Sequence, residues 1–551
     1  MKPTTMRSAK ALTLAVAGML ALSACNKDLD QTPTYDPTSD VVYKDAAGYK
    51  TQLAKVYASV ALTGRVGPAG DGTGDIRGID EGTSDYIRQL WSAQELTTDE
   101  AVISWGDPGV QDWHNLNWTA NGVLIRGLYS RLLYTVTIAN SYIQQSSDAQ
   151  LASRGITDSN VVFYRNEARF MRALAYYHAL DLYGNIAFAT EADAIGTTTL
   201  PRRITRADLY KYVESELLAL STDGALKAPR TNEYGRADQA AAWSLLAKLY
   251  LNAATYTGTA NYAGAATYAK RVIDAGYSLY PNATTGSRLQ RNGYSRQFLA
   301  DNNVSNTEII FPIVFDGKQT QSYGGTTFLT HAAVSVSADA NWNPARYGIG
   351  GGWGGTRTTS RLFQLFPDTA ADERARFQTG GQTLNIVSLT DFQYVYVPVK
   401  YRNVTAAGVA GSDNTFVDTD FPMFRLADMY LTYAEASART GNAAAGLPYV
   451  NMVRNRAFRG QPGGTNGAVT AADLTANNFL FFLDERGREL HWEGTRRTDL
   501  IRFGRFTSGT YLWPWKGGVA NGTAVSDNLQ LFPIPSSELS INTNLTQNPG
   551  Y

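Results

Sequence analysis

From Asp238 to Ala275 the chain reads DQAAAWSLLAKLYLNAATYTGTANYAGAATYAKRVIDA. Two alanine-rich helical segments, 238–255 and 262–275, meet there at a tight turn, Tyr256-Thr257-Gly258. The same pattern returns at 425–440 and 443–457, joined through Thr440-Gly441-Asn442. Small residues at the crossing points (Ala240, Ala241, Ala247, Ala253, Ala434 and Ala436) let paired helices approach closely. Each unit of helix, turn and helix is about 35 residues, close to the tetratricopeptide period. Strict repeat consensus is absent, so the pairs read as tetratricopeptide-like.

Upstream, helical spacing predicts helices over about 45–60, 123–145 and 161–183, the last stopped by Gly184. Thr205-Arg206-Ala207-Asp208 resembles a capping box that opens a helix to Leu220. Between the helical pairs, 276–424 reads differently. It holds a strand-like run from Glu308 to Phe315, then Gly324-Gly325, the Gly348–Gly355 cluster and an alternating run from Gln393 to Tyr401 that predicts a second strand. The expected fold is mostly α: tetratricopeptide-like helix pairs form a scaffold, with an inserted loop-rich subdomain (about 276–424) containing short β-strands. Irregular segments of this kind are where binding residues collect.

At the other end, Lys2, Arg7 and Lys10 precede an apolar stretch from Ala11 to Leu22, followed by Ser23-Ala24-Cys25. The apolar stretch is too short to span a bilayer as a stable helix and has the anatomy of an export signal. A cut site that closes on Cys25, the single cysteine of the chain, is similar to the lipobox of a bacterial lipoprotein. The expectation is a signal peptide at 1–24, lipidation of Cys25, a lipid-anchored tether over 25–44 and a body over 45–551. The polar, acidic residues Asn26-Lys27-Asp28-Leu29-Asp30 resemble a tag for the outer face of the outer membrane.

The 551 residues carry 49 basic and 49 acidic side chains. Residues 1–24 hold three of the basic ones and none of the acidic, so cleavage leaves 46 against 49. A near-neutral chain offers nucleic acid no electrostatic footprint. With its one cysteine lipidated the chain forms no internal disulfide. The 32 Tyr and 10 Trp beside 50 Gly suggest rings on loops as well as in the interior.

Residues that could carry catalysis have a plainer reading. Glu485, Glu489 and Glu493 fall at i, i+4 and i+8 among Arg486, Arg488, Arg496 and Arg497. Paired carboxylates could cleave a glycosidic bond, but charge runs on a helix more simply form an ion-paired scaffold. Glu167 beside Arg165, Arg169 and Arg172 reads the same way. The four histidines, His114, His178, His331 and His491, are scattered, with no metal-ligand spacing. The sequence therefore gives no catalytic residue, no metal ligand set and no cofactor site.

Several motifs carry a family resemblance. Arg165-Asn166-Glu167-Ala168-Arg169-Phe170-Met171-Arg172-Ala173-Leu174-Ala175-Tyr176-Tyr177, then Leu182-Tyr183-Gly184, resembles the central helix of the RagB/SusD proteins. The run from Arg425 to Ala436, Val453-Arg454-Asn455-Arg456-Ala457 and the segment from Glu485 to Arg502 look like its later helices. The ending Leu531-Phe532-Pro533-Ile534-Pro535 with Gln547-Asn548-Pro549-Gly550-Tyr551 is similar as well. One departure is Ala187-Phe188-Ala189, where the family has a proline shortly after Tyr-Gly. The resemblance implies a surface lipoprotein of the outer membrane that binds an oligosaccharide or polysaccharide without cleaving it. It would deliver the glycan to a TonB-dependent, SusC-like transporter. A peptide-binding member of the same family is one alternative, and a glycoside hydrolase is another.

A sugar presents an apolar C–H face and a rim of hydroxyls, so it asks for aromatic platforms beside Asp, Glu, Asn or Arg. Two segments supply both. The first contains Thr98-Asp99-Glu100, Trp105, Asp107 and Trp113, and it resembles the segment bordering the ligand groove in the starch-binding branch of the family. The second, in the loop-rich subdomain, contains Tyr323, Trp342, Arg346 and Trp353. Asp99, Glu100, Trp105, Asp107, Trp113, Tyr323, Trp342, Arg346 and Trp353 are the glycan-contact candidates. Against this, Thr98-Asp99-Glu100 could cap the following segment, and Trp113, Trp118 and Trp91 could be core.

Overall fold

Asp238 opens the decisive helix, its carboxylate accepting hydrogen bonds from Ala240 N (2.9 Å) and Ala241 N (3.2 Å). The computed structural model describes residues 39–64, 74–193, 196, 198–283, 291–336, 342–458 and 467–551. Cys25, the signal segment and most of the expected tether lie outside the described residues.

The principal helices are α1 (Ala46–Ala61), α2 (Tyr86–Trp91), α3 (Val123–Gln145), α4 (Asn160–Leu182), α5 (Arg206–Leu220) and α6 (Gln239–Leu251). They continue with α7 (Tyr262–Ile273), α8 (Leu426–Arg439), α9 (Ala443–Ala457), α10 (Ala471–Leu490, broken at Ala476–Phe479) and α11 (Arg496–Arg502). From α3 to α9 each helix packs on the next, so the chain is mostly α, with helix pairs stacked side by side. α7 and α8 are neighbours in that stack although about 150 residues separate them. The chain leaves the stack after α7, builds the irregular region and returns.

Local chemistry explains the ends. Thr205 Oγ1 accepts from Asp208 N (3.2 Å) to open α5, and Gly184 (φ 71°) turns the chain out of α4. α6 ends at Leu251, short of the expected 255; a separate turn, Ala253–Thr257, follows and Gly258 (φ 78°) reverses it. Where α8 crosses α9, a Cβ on Gly446 would stand 2.4 Å from Ala434 Cα, so glycine sets that approach.

Among the described residues the strands form four antiparallel two-stranded ladders. β1 (Ala101–Ile103) pairs with β5 (Thr356–Thr358), and β2 (Ile186–Phe188) with β3 (Arg202–Ile204). β4 (Ile309–Ile313) pairs with β8 (Phe421–Arg425), and β6 (Phe377–Gln378) with β7 (Val397–Pro398). All but β2–β3, which lies between α4 and α5, build or border the irregular region. The long strand expected over Gln393–Tyr401 shrinks to the two residues of β7. Val395 sits at φ 63° with its side chain buried, which ends the extended run before it starts.

The acidic and basic runs join elements. Glu489 accepts from Arg374 (3.2 Å), Arg425 (2.7 Å) and Arg456, and Glu485 from Arg374 (2.7 Å), Arg454 (2.6 Å) and Arg488 (2.7 Å). Burial alone would raise both carboxyls; the guanidiniums reverse this, holding Glu489 at about 2 and Glu485 well below the carboxylate range. Glu493 lies past the end of α10, so the i+8 spacing is not helical. Its carboxylate still enters the lattice through Arg425 (2.6 Å) and Lys400 (2.6 Å). Glu167 is likewise structural, but its partner is Arg236 (2.5 Å), while Arg169 and Arg172 hold Glu216. Among the described residues no helix is long and apolar enough to cross a membrane.

Candidate functional site

The β1–β5 ladder, with Ile103 opposite Thr356, carries two distant tryptophans to one place. Just beyond the paired residues, Ser104 N donates to Gly355 O (2.9 Å) and Trp105 Nε1 to Trp353 O (3.1 Å). A Cβ on Gly355 would stand 2.6 Å from the Trp105 ring, so only glycine lets the backbone pass the indole. The Trp105 and Trp353 rings are 6.5 Å apart and inclined at 44°. The Tyr323 ring follows, 6.3 Å from Trp353 at 54°.

Beneath Trp353, His331 stacks at 4.7 Å and 24°, and its Nδ1–H donates to Gly351 O (2.7 Å). Burial lowers the imidazole from its ordinary value, so it is a neutral support for the indole. Opposite, the Arg88 guanidinium lies 5.5 Å from the Trp105 ring and 4.8 Å from that of Phe328. Burial lowers Arg88, and the carboxylates of Asp85, Asp80 and Asp107 oppose that shift. Arg88, Trp105, Asp107, Arg126 and Trp353 line a groove of about 660 Å³, a size suited to a small-molecule or oligomeric ligand. Trp105, Tyr323 and Trp353 are half-buried, and Asp107 is exposed at the rim. Aromatic faces beside charged hydrogen-bonding groups can hold a ligand that is apolar on one side and hydroxylated on the other.

The other candidates fall elsewhere. Asp99 is fully buried and forms a two-pronged pair with Arg496 (both contacts 2.7 Å), with Tyr511 Oη donating to it as well (2.6 Å). Glu100 is buried too, accepting from Trp492 N (3.2 Å). Asp99 and Glu100 therefore join the 92–101 segment to α11 and its approach, and neither reaches the groove. Burial, with Glu95 close by, raises Glu100 well above the ordinary range. Trp113 is core, packed edge-on against Phe532 at 4.8 Å beside Trp118. Trp342 is also withdrawn from solvent, at 4 % exposure, against Phe392. Arg346 is exposed on the turn Pro344–Tyr347, outside the groove lining. Trp91 and Trp118, which the sequence leaves open, are buried.

The model of the SusD family matches residues 382–551. The starch-binding protein SusD of Bacteroides thetaiotaomicron is 33% identical over an alignment covering 96% of this chain and 96% of that protein. This chain belongs to the SusD family. Solved structures agree in fold: a SusD homolog from Bacteroides thetaiotaomicron has a TM-score of 0.69 at 17% identity, covering 93% of this chain and 98% of that one. Surface glycan-binding protein A from Bacteroides fluxus has a TM-score of 0.64 at 20% identity, covering 92% and 99%. In this SusD-family chain, reading the sequence singles out Trp105, Asp107, Tyr323 and Trp353 but passes over Arg88. Its one local signal is the Asp85 carboxylate, which accepts from Arg88 N (2.8 Å) to cap α2 and so fixes where the guanidinium points.

Proposed function

We propose that the protein binds a glycan non-catalytically in the groove of Trp105 and Trp353, and that the ligand is an α-glucan. The observation that carries the reading is the run of three inclined rings, Trp105, Trp353 and Tyr323, with Arg88 and Asp107 at its edge. Rings inclined to one another suit a curved chain, each sugar laying its C–H face on one ring while its hydroxyls meet Arg88 and Asp107. The 33% identity to a starch-binding protein over 96% of the chain supports the same ligand class. The carboxylates that could suggest hydrolysis, Glu485, Glu489 and Glu493, are bound to arginine or lysine in the interior. Membership of the SusD family supports the wider setting. Lipidated at Cys25 and held at the cell surface of the outer membrane by its 25–44 tether, the protein passes its ligand to a SusC-like, TonB-dependent transporter.

Affinity gel electrophoresis in starch, dextran, inulin and xylan tests the reading. Retardation by starch, relieved in Trp353→Ala, is expected; unchanged mobility in every polymer would reject it.

A further inference from the structure

Between α1 and the end of β4 runs a second groove, of about 420 Å³, that among the described residues shares no lining residue with the first. Ala54 and Ala58 of α1 line it together with Ile313 and Val314. Gly235 (φ 80°) closes it: a Cβ there would stand 2.6 Å from Val314 Cγ2, so the turn that carries Tyr234 rests directly on the end of the strand.

Two tyrosines line this groove, and each is pinned from behind by its hydroxyl. Tyr57 Oη donates to Glu167 Oε2 (2.6 Å) and accepts from Ala237 N (2.9 Å), while Tyr234 Oη donates to Asp420 Oδ2 (2.6 Å). Both carboxylates are fully buried, so neither ring can swing away, yet Tyr234 keeps 48 % of its surface exposed. A ring held open to solvent in one orientation is a preorganised stacking face. At the rim Lys50 Nζ meets Glu233 Oε1 (2.7 Å), both side chains exposed. The ammonium keeps two further protons there, and the carboxylate keeps lone pairs.

The two grooves are neighbours along the chain. Thr320 lines this one, and Tyr323, the last ring of the first run, follows three residues on, so their Cα atoms are at most about 11 Å apart. Asp420 also accepts from Phe315 N (2.8 Å), so the carboxylate that fixes Tyr234 fixes the start of the turn leading to Tyr323.

We infer, on the glucan reading of the first groove, that this groove is a second contact for the same glucan chain, reached around the 315–323 turn. Tyr234 takes the C–H face of a sugar, and Lys50 and Glu233 take its hydroxyls. A chain long enough to pass Tyr323 engages both grooves, and the second contact is then intramolecular and raises affinity for polymer without changing it for a short oligomer.

Isothermal titration with maltotriose and affinity electrophoresis in amylopectin, on wild type, Tyr234→Ala and the double variant Ala54→Leu, Ala58→Leu, test this. The double variant fills the groove from α1 with good helix formers and leaves both tyrosines and their hydrogen bonds in place. Maltotriose affinity should stay at the wild-type value, while the amylopectin dissociation constant should rise at least tenfold in both variants. Unchanged retardation by amylopectin in the double variant would overturn the inference and leave the first groove as the glucan site. Loss of maltotriose binding in the double variant would overturn it too, since short chains would then sit here. Amylopectin that fails to retard the wild type would overturn the first-groove reading, and this inference with it.

Discussion

Gly324 passes so close to Asp85 that a Cβ there would stand 1.9 Å from the carboxyl carbon. The Asp85 carboxylate ties the helix that carries Arg88 to the segment that carries Tyr323. It accepts from Arg88 N (2.8 Å) on one side and from Gly325 N (3.2 Å) and Ser322 Oγ (3.0 Å) on the other. Arg88 and Tyr323 thus share one buried anchor. Gly324→Ala cannot be absorbed by a flexible side chain and should cost about 1–3 kcal/mol. Chemical denaturation should show that loss, and starch affinity should fall with it because Tyr323 is displaced. Wild-type stability in this variant would contradict the anchor.

Asp99 and Asp107 stand eight positions apart and should behave oppositely. Asp99→Ala leaves Arg496 buried without its two-pronged partner, a loss of about 3–5 kcal/mol. Asp107→Ala, at the exposed rim, should leave the unfolding midpoint unchanged and weaken glucan binding. Urea melts and gel retardation on both variants separate the two roles.

Glu489 holds three arginines at once. Glu489→Gln removes the charge that balances them and should lower the unfolding midpoint steeply. A reducing-end assay on starch should read no sugar release from the wild type. Release from wild type that Glu489→Gln abolished would restore a hydrolytic reading.

Two sets of buried groups give opposite pH slopes. Burial raises Glu95 from 4.5 to about 7 and Asp420 from 3.8 to about 7. Between those values the folded chain keeps protons that the unfolded chain has released, so their contribution is full in acid and is lost as pH rises through 7. Burial lowers His114 and His178 from 6.5 to about 3. Their contribution is full above 6.5 and is lost as pH falls toward 3. Glu95→Gln mimics the protonated carboxyl, so its stability relative to wild type should improve from pH 5 to pH 8. Urea denaturation at both values checks the sign; a constant difference would contradict it.

The helices were legible because their information is local. Apolar spacing, the Asp238 and Thr205 caps, and the Gly184 and Gly258 stops all lie within a few residues of what they control. The exposure of each tryptophan was not, because it is decided by partners far along the chain. Trp113 is covered by Phe532 and Trp342 by Phe392, while Trp105 meets Trp353 through a ladder that joins positions about 250 apart. Asp99 looked like a ligand group for the same reason: Arg496, which neutralises it, is 397 residues away.

Isothermal titration of maltoheptaose into the wild type and Trp353→Ala tests most directly whether the Trp105–Trp353 groove binds glucan. Binding should be saturable and weaken at least tenfold, about 1.4 kcal/mol, in a variant that unfolds at the wild-type midpoint. Equal affinity in the two proteins would contradict it.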